Sequence, residues 1–593
     1  MNPDTLTAQA LLNCLVREVS VPEEQTWEAD GHVLVRLARS GRLLRLATRR
    51  RSAGPGPRLT GEAALRLADR WEPAGWAELA VLIADELTRA TGVTNDEFGA
   101  QVRSSHAAMT AIAAAKAAAV AAGTVVAGTV VTGAATSGTV AAPVTADAVP
   151  VAPLPRAVLG RYLASEQALA AGHRFHPAPK ARGGEPREWL PYAPEAGARF
   201  PLRFLAVRGD ALDGDGDTTG LDRLGSPAVP PGYHPLPAHP WQLRLLAGQP
   251  WLSRALRDRL LIDLGTGPRD VAATSSVRTV YDPAADLFCK FSLNVRITNC
   301  VRKNSWYELA GAVALTGLLG PVFADLAACF PGAALLGEPG YRTVALADGE
   351  AAEGLSVIVR EGLRGRLAPQ VTPLLAAALT EPPADGHGET AGGLLDGRDP
   401  EWLAAWWEAY VRTVAPPVLH ALFRHGVVLE PHLQNVLVGV DPDGLPVQAV
   451  FRDMEGTKLL APRHDALLAT LKPGVARALR YDAERAWNRV AYCLFVNHLA
   501  EVAAAVADRH SNTDGLFESG LWDRAREVLT GFAREHGWPS QLRAVLAGVP
   551  LPAKANLRLR WRRGADREAA YLPVRNPLGE RAADLARMAT AAW

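Results

Sequence analysis

EPHLQNVLVGVDPDGLPVQAVFRDMEG, from Glu430 to Gly456, is the stretch that decides how the rest of the chain is read. Glu430, His432, Gln434 and Asn435 stand directly against an apolar run, VLVGV. The turn sequence DPDG (Asp441–Gly444) follows, then a second apolar run, VQAVF, ending in Arg452, Asp453 and Glu455. Two short β-prone runs joined by Asp-Pro-Asp-Gly predict a hairpin. A hairpin brings its outer ends together, so His432–Asn435 and Arg452–Glu455 are expected at one sheet edge. A neutral imidazole, a carboxamide and one or two carboxylates converging there suit a hard cation and a polyphosphate, with oxygen ligands for Mg²⁺ and donors for the phosphates. The competing reading is a hairpin with merely solvated ends; polar residues at both distal ends exceed what turn chemistry needs.

Outward from this hairpin, 593 residues are too many for one core, and two or three domains are expected. Hydrophobic residues at 48% and charged residues at 21% describe a soluble globular chain. A net charge of +1 supplies no global basic field for nucleic acid or an anionic membrane. Five scattered cysteines without a CxxC or a framework spacing suit a reducing cytoplasm. The opening MNPDTLTAQALLNCLVREV lacks a basic segment followed by an unbroken apolar one, so no signal peptide is expected.

Residues 5–20 and 60–92 carry apolar residues at helical spacing around a β-prone segment, His32–Leu37. An Ala/Thr-rich tract occupies about 107–146, uncharged from Ala117 to Ala146. Ala, Gly and Thr dominate it where a membrane span would use Leu, Ile and Phe, so a flexible or partly helical insertion is expected. Within it, TSGTVAAP (Thr136–Pro143) imitates an adenylating-enzyme phosphate loop, but Ala141 and Val144 stand where that loop needs Gly and Lys. Mixed strand and helix follow as far as a break at Glu381–Gly393. Beyond it come long helical patterns at 401–425, 476–508 and 515–547, the first carrying Pro416–Pro417 and expected to kink or split there. The reading is an α+β chain in three parts, 1–156, 157–385 and 386–593, the last mostly helical with a small antiparallel sheet. LDGDGDTTG (Leu212–Gly220) lacks the twelfth-position Glu of a calcium loop and reads as a solvated surface loop. No Walker loop, GxGxxG or GxSxG motif is present.

Three constellations carry chemistry. In EQALAAGHRFHPAPKARGG (Glu166–Gly184), His173, His176, Lys180 and Arg182 sit on a segment stiffened by Pro177 and Pro179. They suit a polycarboxylate or phosphate better than a metal, and a solvated basic loop is the alternative. In PAHPWQ (Pro237–Gln242), Trp241 reads as core and His239 as a turn cap, with a site role left open. In AATSSVRTVYD (Ala272–Asp282) and FCKFSLNVRITNCVRKN (Phe288–Asn304), Ser275, Ser276, Arg278 and Thr279 precede an alternating strand. Alternation places Lys290, Ser292, Asn294 and Arg296 on one face and Phe291, Leu293, Val295 and Ile297 in the core. Thr298 and Arg302 fall one helical turn apart if the chain turns helical after Ile297. Hydroxyls and guanidiniums on a sheet surface resemble a phosphate-binding wall, against the alternative of a solvated strand face.

GHRFHPAPKARGG, LPAHPWQ, ATSSVRTV, KFSLNVRITNCVRKN, VIVRE (Val357–Glu361), GVVLEPHLQNVLV, FRDMEG and KANLRLR (Lys554–Arg560) occur in this order between about 160 and 560. Together they resemble the NRPS-independent siderophore synthetases, the IucA/IucC-like family. Arg174, where a proline is usual after the first His, and the Ala/Thr-rich insertion are departures. The resemblance implies a cupped hand of thumb (1–156), fingers (157–385) and palm (386–593) around a deep ATP cleft. It implies a cytoplasmic, Mg²⁺-dependent ligase in which the carboxylate of citrate or a related acid attacks ATP. Pyrophosphate leaves, and an amine or hydroxyl then displaces AMP. By motif, Ser275, Ser276, Arg278, Thr279 and Lys290 would line the nucleotide phosphates with His432 and Asn435. Asp453, with Glu455 nearby, would hold Mg²⁺. Thr298, Arg302, His173 and Gln434 would meet the carboxylic substrate, with Lys180 and Arg182 in the same anion-receiving segment. A homodimer is ordinary for such proteins.

The physics agrees with this: two anions must be brought into contact, and Arg278, Lys290 and Arg302 with Mg²⁺ supply the neutralising charge. On the resemblance, Arg302, His432 and Lys290 are the expected catalytic groups. A small-molecule kinase is the strongest rival, because HLQN before a hairpin and RDME is similar to the His-x-x-Asn and Asp pair of aminoglycoside-kinase-like enzymes. Glu430 and Pro431 stand where that class needs a catalytic aspartate. A non-catalytic binder of citrate-like anions is the second rival.

Overall fold

The computed structural model describes residues 2–121, 125–126, 129–130, 153–297, 300–346, 349–381, 391–564 and 569–579. Asp-Pro-Asp-Gly turns the chain back as expected: Gly444 takes φ +88°, its N–H donates to Asp441 O at 3.0 Å, and Leu445 N donates to Asp441 Oδ1 at 2.8 Å. The strands Val436–Val440 and Pro446–Arg452 run antiparallel with Val436 opposite Phe451. Thr372–Leu375 flanks the first and Ala333–Leu336 lies parallel to the second, giving a four-stranded sheet. The helix Pro400–His425 packs on this sheet, capped by the Asp399 side chain on Trp402 N and ended by Gly426 at φ +66°. It stays one helix through Pro416 and Pro417 and does not split there. A buried face of Trp406, Trp407, Tyr410, Val414 and Val418 outweighs the lost backbone hydrogen bonds.

The other long C-terminal patterns divide into shorter pieces. Pro473–Leu479, Ala483–Ala491, a π-helical stretch Tyr492–Leu499 and Ala500–Ala507 cover the first. Leu516–Glu535 and Ser540–Leu546 cover the second, divided at Gly537 (φ +70°) and Pro539. Among the described residues two helical runs are long and apolar enough to cross a membrane. Ala483–Ala507 lies almost wholly inside the core, and Trp306–Cys329 lays one face on it.

The middle of the chain builds an eight-stranded sheet in the order Tyr233–Ala238, Arg199–Arg208, Leu261–Ala273, Thr279–Asp282, Leu287–Phe291, Val357–Glu361, Gly340–Val344, Leu212–Gly216. The acidic LDGDG segment, expected as a loop, is thus an edge strand paired with Gly340–Val344. Its exposed aspartates suit an edge that must not recruit further strands. The alternating run breaks at Ser292: Leu293–Ile297 pairs with Cys300–Arg302, a strand where a helical turn was expected.

The N-terminal part is a five-stranded antiparallel meander from Thr26 to Pro73, packed by the helices Pro3–Leu15 and Trp76–Thr91. Residues 60–75 were expected in a helix, yet Arg58–Leu67 and Arg70–Pro73 are strands. Pairing with Leu43–Arg50 buries Leu59 and Leu65 and overrides an Ala-rich local preference. The start of the Ala/Thr-rich tract continues the helix Asp96–Ala121. Thr136–Pro143 and Thr298 lie outside the described residues.

Candidate active site

Two loops meet between the central sheet and the C-terminal hairpin. The first is the turn Thr274–Thr279, where Thr274 N and Oγ1 both donate to Thr279 O (3.0 and 2.7 Å) and Arg278 N donates to Ser276 O (2.6 Å). Val277 takes φ +61° inside it, and Asp453 takes φ +79° at the end of the hairpin. Left-handed backbone at non-glycine positions is strain that surrounding structure must hold, and such strain concentrates at functional sites.

The loops are joined by charge. Lys290 Nζ lies 2.6 Å from Asp453 Oδ1 and 3.0 Å from Glu455 Oε2. Arg278 donates to Glu455 Oε2 and to Asn304 Oδ1, both at 2.6 Å. Arg360, itself bound to Glu338, lies 3.4 Å from Asp453 Oδ1. Lys290 is 2% exposed, whereas Asp453 and Glu455 keep 28% and 35%, so the cations form the floor and the acids face the opening. Burial alone would raise both carboxyls. Lys290, Arg360 and Arg278 outweigh it, holding Asp453 well below the usual carboxylate range and Glu455 at about 2.

A second network fixes the turn over the hairpin. Arg452 forms a buried pair with Glu166 at 2.5 Å, and Glu166 Oε2 accepts from Ser275 N at 3.1 Å. Gln434 Nε2 donates to Ser275 O at 2.9 Å, and Gln434 O accepts from Arg452 Nε at 3.1 Å. Ser275 and Gln434, 159 residues apart in sequence, therefore share one wall. Asn435 N donates to His432 O (2.8 Å) and its side chain to Glu430 O (3.2 Å). His432 Nδ1 accepts from Gln434 N. Its surroundings, burial first, push its pKa down and keep the ring neutral.

His173 stands on the adjacent wall, with Nδ1 accepting from Phe175 N at 3.0 Å and Nε2 facing Asn497 Nδ2 at 3.0 Å. The enclosing protein first, then His176, Arg17, Lys554 and His432, lower its pKa. Alongside lies a cavity of about 270 Å³ lined by Tyr481, Glu484, Arg489, Lys554 and Tyr571. Arg489 also pairs with Glu430.

Lys180 and Arg182 are not brought to this cluster. Both reach Glu195 Oε1 at 2.5 Å in a buried triad, and Lys180 also donates to Leu169 O. The expected anion-receptor role is replaced by internal neutralisation. His176 is buried and accepts from Ala178 N. His239 caps the helix Pro240–Leu246 through Trp241 N, and Trp241 is core, as the plainer reading held. Arg302 ends the strand Cys300–Arg302, and its carbonyl is 3.5 Å from Arg278 Nη1. Ser276 is half-buried on the turn, and Thr279 lies opposite Lys290 in the sheet. Glu166, Asn304, Glu338 and Arg360 were not singled out from sequence. The signal for Arg360 was an arginine inside the apolar strand VIVRE, which must have a buried partner.

The cleft, lined by cations from mid-chain and acids from the C-terminal part, sits in a mixed helix-and-sheet fold shared with aerobactin synthetase. The aerobactin synthetase IucA of Klebsiella pneumoniae, solved with ATP bound, superposes with a TM-score of 0.80 at 25% identity, covering 98% of this chain and 100% of that one. The IucA / IucC family profile matches residues 161–381, and one described as ferric iron reductase FhuF-like transporter matches 404–570. The rhizobactin siderophore biosynthesis protein RhbC of Rhizobium meliloti is 30% identical over 71% of this chain and 76% of its own length. The L-2,3-diaminopropanoate–citrate ligase of Staphylococcus aureus is 30% identical over 63% and 67%. The chain belongs to the IucA/IucC family of siderophore synthetases.

Proposed function

We propose that this protein is an ATP- and Mg²⁺-dependent ligase that activates a carboxylate of citrate or a citrate-derived acid and joins it to an amine or hydroxyl. The observation that carries this reading is Lys290 bound to Asp453 at 2.6 Å across the cleft, because it puts the mid-chain cations and the C-terminal acids in one site. Relatives named as citrate ligases support the acid, and the ATP-bound neighbour supports the nucleotide. Asp453 and Glu455, both ionised and turned to the opening, are the hard oxygen donors that Mg²⁺ takes, and Asn435 adds a carboxamide nearby. When bound, Mg²⁺ supplies charge neutralisation on the phosphates.

In this reading Ser275, Ser276, Arg278, Thr279 and Lys290 hold the phosphates, while His173, Gln434, Thr298 and Arg302 hold the acid. A carboxylate oxygen bonds to the α-phosphorus as the bond to pyrophosphate breaks. The amine nitrogen or hydroxyl oxygen then bonds to the acyl carbon, AMP leaves, and the nucleophile's proton is lost. Arg278, Lys290 and Arg302 offset the repulsion between the two anions, and neutral His432 stands between them. The parts 1–156, 157–385 and 386–593 act as thumb, fingers and palm, and two copies pair as a homodimer. Among the described residues Cys14, Cys289 and Cys329 form no disulfide, which supports a reducing compartment.

Asp453→Asn is expected to lower acid-dependent pyrophosphate release by at least 10²-fold while its circular dichroism shows the fold retained. Near-normal turnover overturns the metal role, and ADP as product in place of AMP establishes the kinase reading.

A further inference from the structure

A second cluster of ligand atoms lies away from the cleft. Asp325 stands near the end of the helix Trp306–Cys329, and His420 and His425 lie on the last turns of Pro400–His425. Asp325 Oδ2 faces His420 Nε2 at 3.0 Å and His425 Nε2 at 2.7 Å, and the three atoms lie within 4.8 Å of one another. Glu308, the cleft-side residue of the same helix that faces Arg278 and Lys290, is about 25 Å away along the helix axis. The cluster is thus separate from the proposed active site.

The hydrogen bonds around it set the tautomers. Phe532 O can only accept, so His536 Nδ1 carries a proton and donates to it at 2.9 Å. In neutral His536, Nε2 is then an acceptor, and His420 Nδ1 must donate to it at 3.0 Å. Neutral His420 is left with an unprotonated Nε2 directed at a carboxylate oxygen. Two lone pairs facing each other at 3.0 Å need a cation between them. His425 can satisfy its own pair as the Nε2–H tautomer, so the His420 pair is the one that calls for a cation, and a metal ion held by both imidazoles and the carboxylate supplies it. The arrangement matches what metal sites use: a ligating imidazole whose other nitrogen donates to a fixed outer acceptor.

We propose that Asp325, His420 and His425 form a binding site for a borderline divalent transition ion of the Zn²⁺ class, oriented by His536, that pins the helix Trp306–Cys329 to the C-terminal helices. Two imidazole nitrogens and one carboxylate oxygen suit Zn²⁺ at about 2.0–2.2 Å, with ligand atoms about 3.3 Å apart. The observed 3.0 and 2.7 Å need only a small outward shift. His420 is 7% exposed, while Asp325 and His425 keep 43% and 23%, so the site is anchored inside and open to entry from solvent. His425 is the last residue of its helix, where the negative end of the helix dipole favours positive charge.

The test uses the full chain stripped by a chelator and titrated with Co²⁺ in the absence of ATP and Mg²⁺. One equivalent is expected to produce the visible absorption of four- or five-coordinate Co²⁺, to be displaced by Zn²⁺, and Zn²⁺ alone to raise the melting temperature by a few degrees. His420→Gln and His425→Gln should each weaken binding at least tenfold, while Asp453→Asn should keep it. Absence of a saturable equivalent in the natural sequence overturns the proposal without reference to any variant. So does a signal that survives both histidine changes or disappears with Asp453→Asn.

Discussion

Lys180 and Arg182 share one oxygen of Glu195 at 2.5 Å, all three side chains buried. Burial works to raise the Glu195 carboxyl, but Arg182 and Lys180 prevail and hold it at about 2, below its ordinary 4.5. A carboxyl depressed in this way stabilises the fold fully above pH 4.5, and the contribution fades as pH falls toward 2. Glu195→Gln is therefore expected to cost about 3 kcal/mol near neutral pH, with the two proteins converging between pH 4.5 and 2 in urea melts followed by tryptophan fluorescence. Lys180→Met should change stability and leave the KM for the acid within twofold. At this scale Lys290, Arg278, Asp453 and Glu455 were legible because strand alternation and a hairpin place them. The fate of Lys180 and Arg182 was not, since nothing in a basic motif announces that a glutamate 15 and 13 residues further on will claim both charges. Asp325 and His420 were equally silent, because their meeting depends on how two distant helices pack.

The hairpin that carries Asp453 depends on its turn. Gly444 takes φ +88°, and a Cβ there would stand 2.6 Å from Leu394 Cδ1. Gly444→Ala combines a left-handed backbone penalty of about 1–2 kcal/mol with that clash, so a loss of about 2 kcal/mol or more is expected in chemical denaturation. Asp443→Ala, one residue earlier and exposed, should stay within about 0.5 kcal/mol. This hairpin was readable because its turn chemistry and its two apolar runs agree. Residues 60–75 were misread because Ala-rich sequence fits a helical period as well as a strand, and pairing with Leu43–Arg50 decides between them. The long helix Pro400–His425 was readable in extent but not in continuity, since tryptophan and tyrosine packing overrode its two prolines.

Across the whole molecule, the end of the chain returns to its beginning. Leu557 and Trp561 of the helix Asn556–Trp561 belong to the N-terminal core. Glu18 accepts from Leu557 N and Arg558 N, both at 2.9 Å, and Asn95 donates to the carbonyls of Arg560 and Trp561. Trp561→Ala should cost about 3–5 kcal/mol. Because the helix belongs to both ends, circular dichroism and intrinsic fluorescence should still report one coincident transition. KANLRLR drew notice only through family likeness; its packing partner lies more than 450 residues upstream, beyond what local pattern can show.

Across the cleft Lys290, Arg278 and Arg360 hold Asp453 and Glu455 as an internal salt. On the proposed reading, recognition is then a metathesis. A polyphosphate that brings its own metal swaps partners pairwise, metal to carboxylate and phosphate to lysine. A bare anion would draw Lys290 away from Asp453 and leave that acid with Arg360 alone, so the internal salt itself selects against nucleotide that comes without its cation.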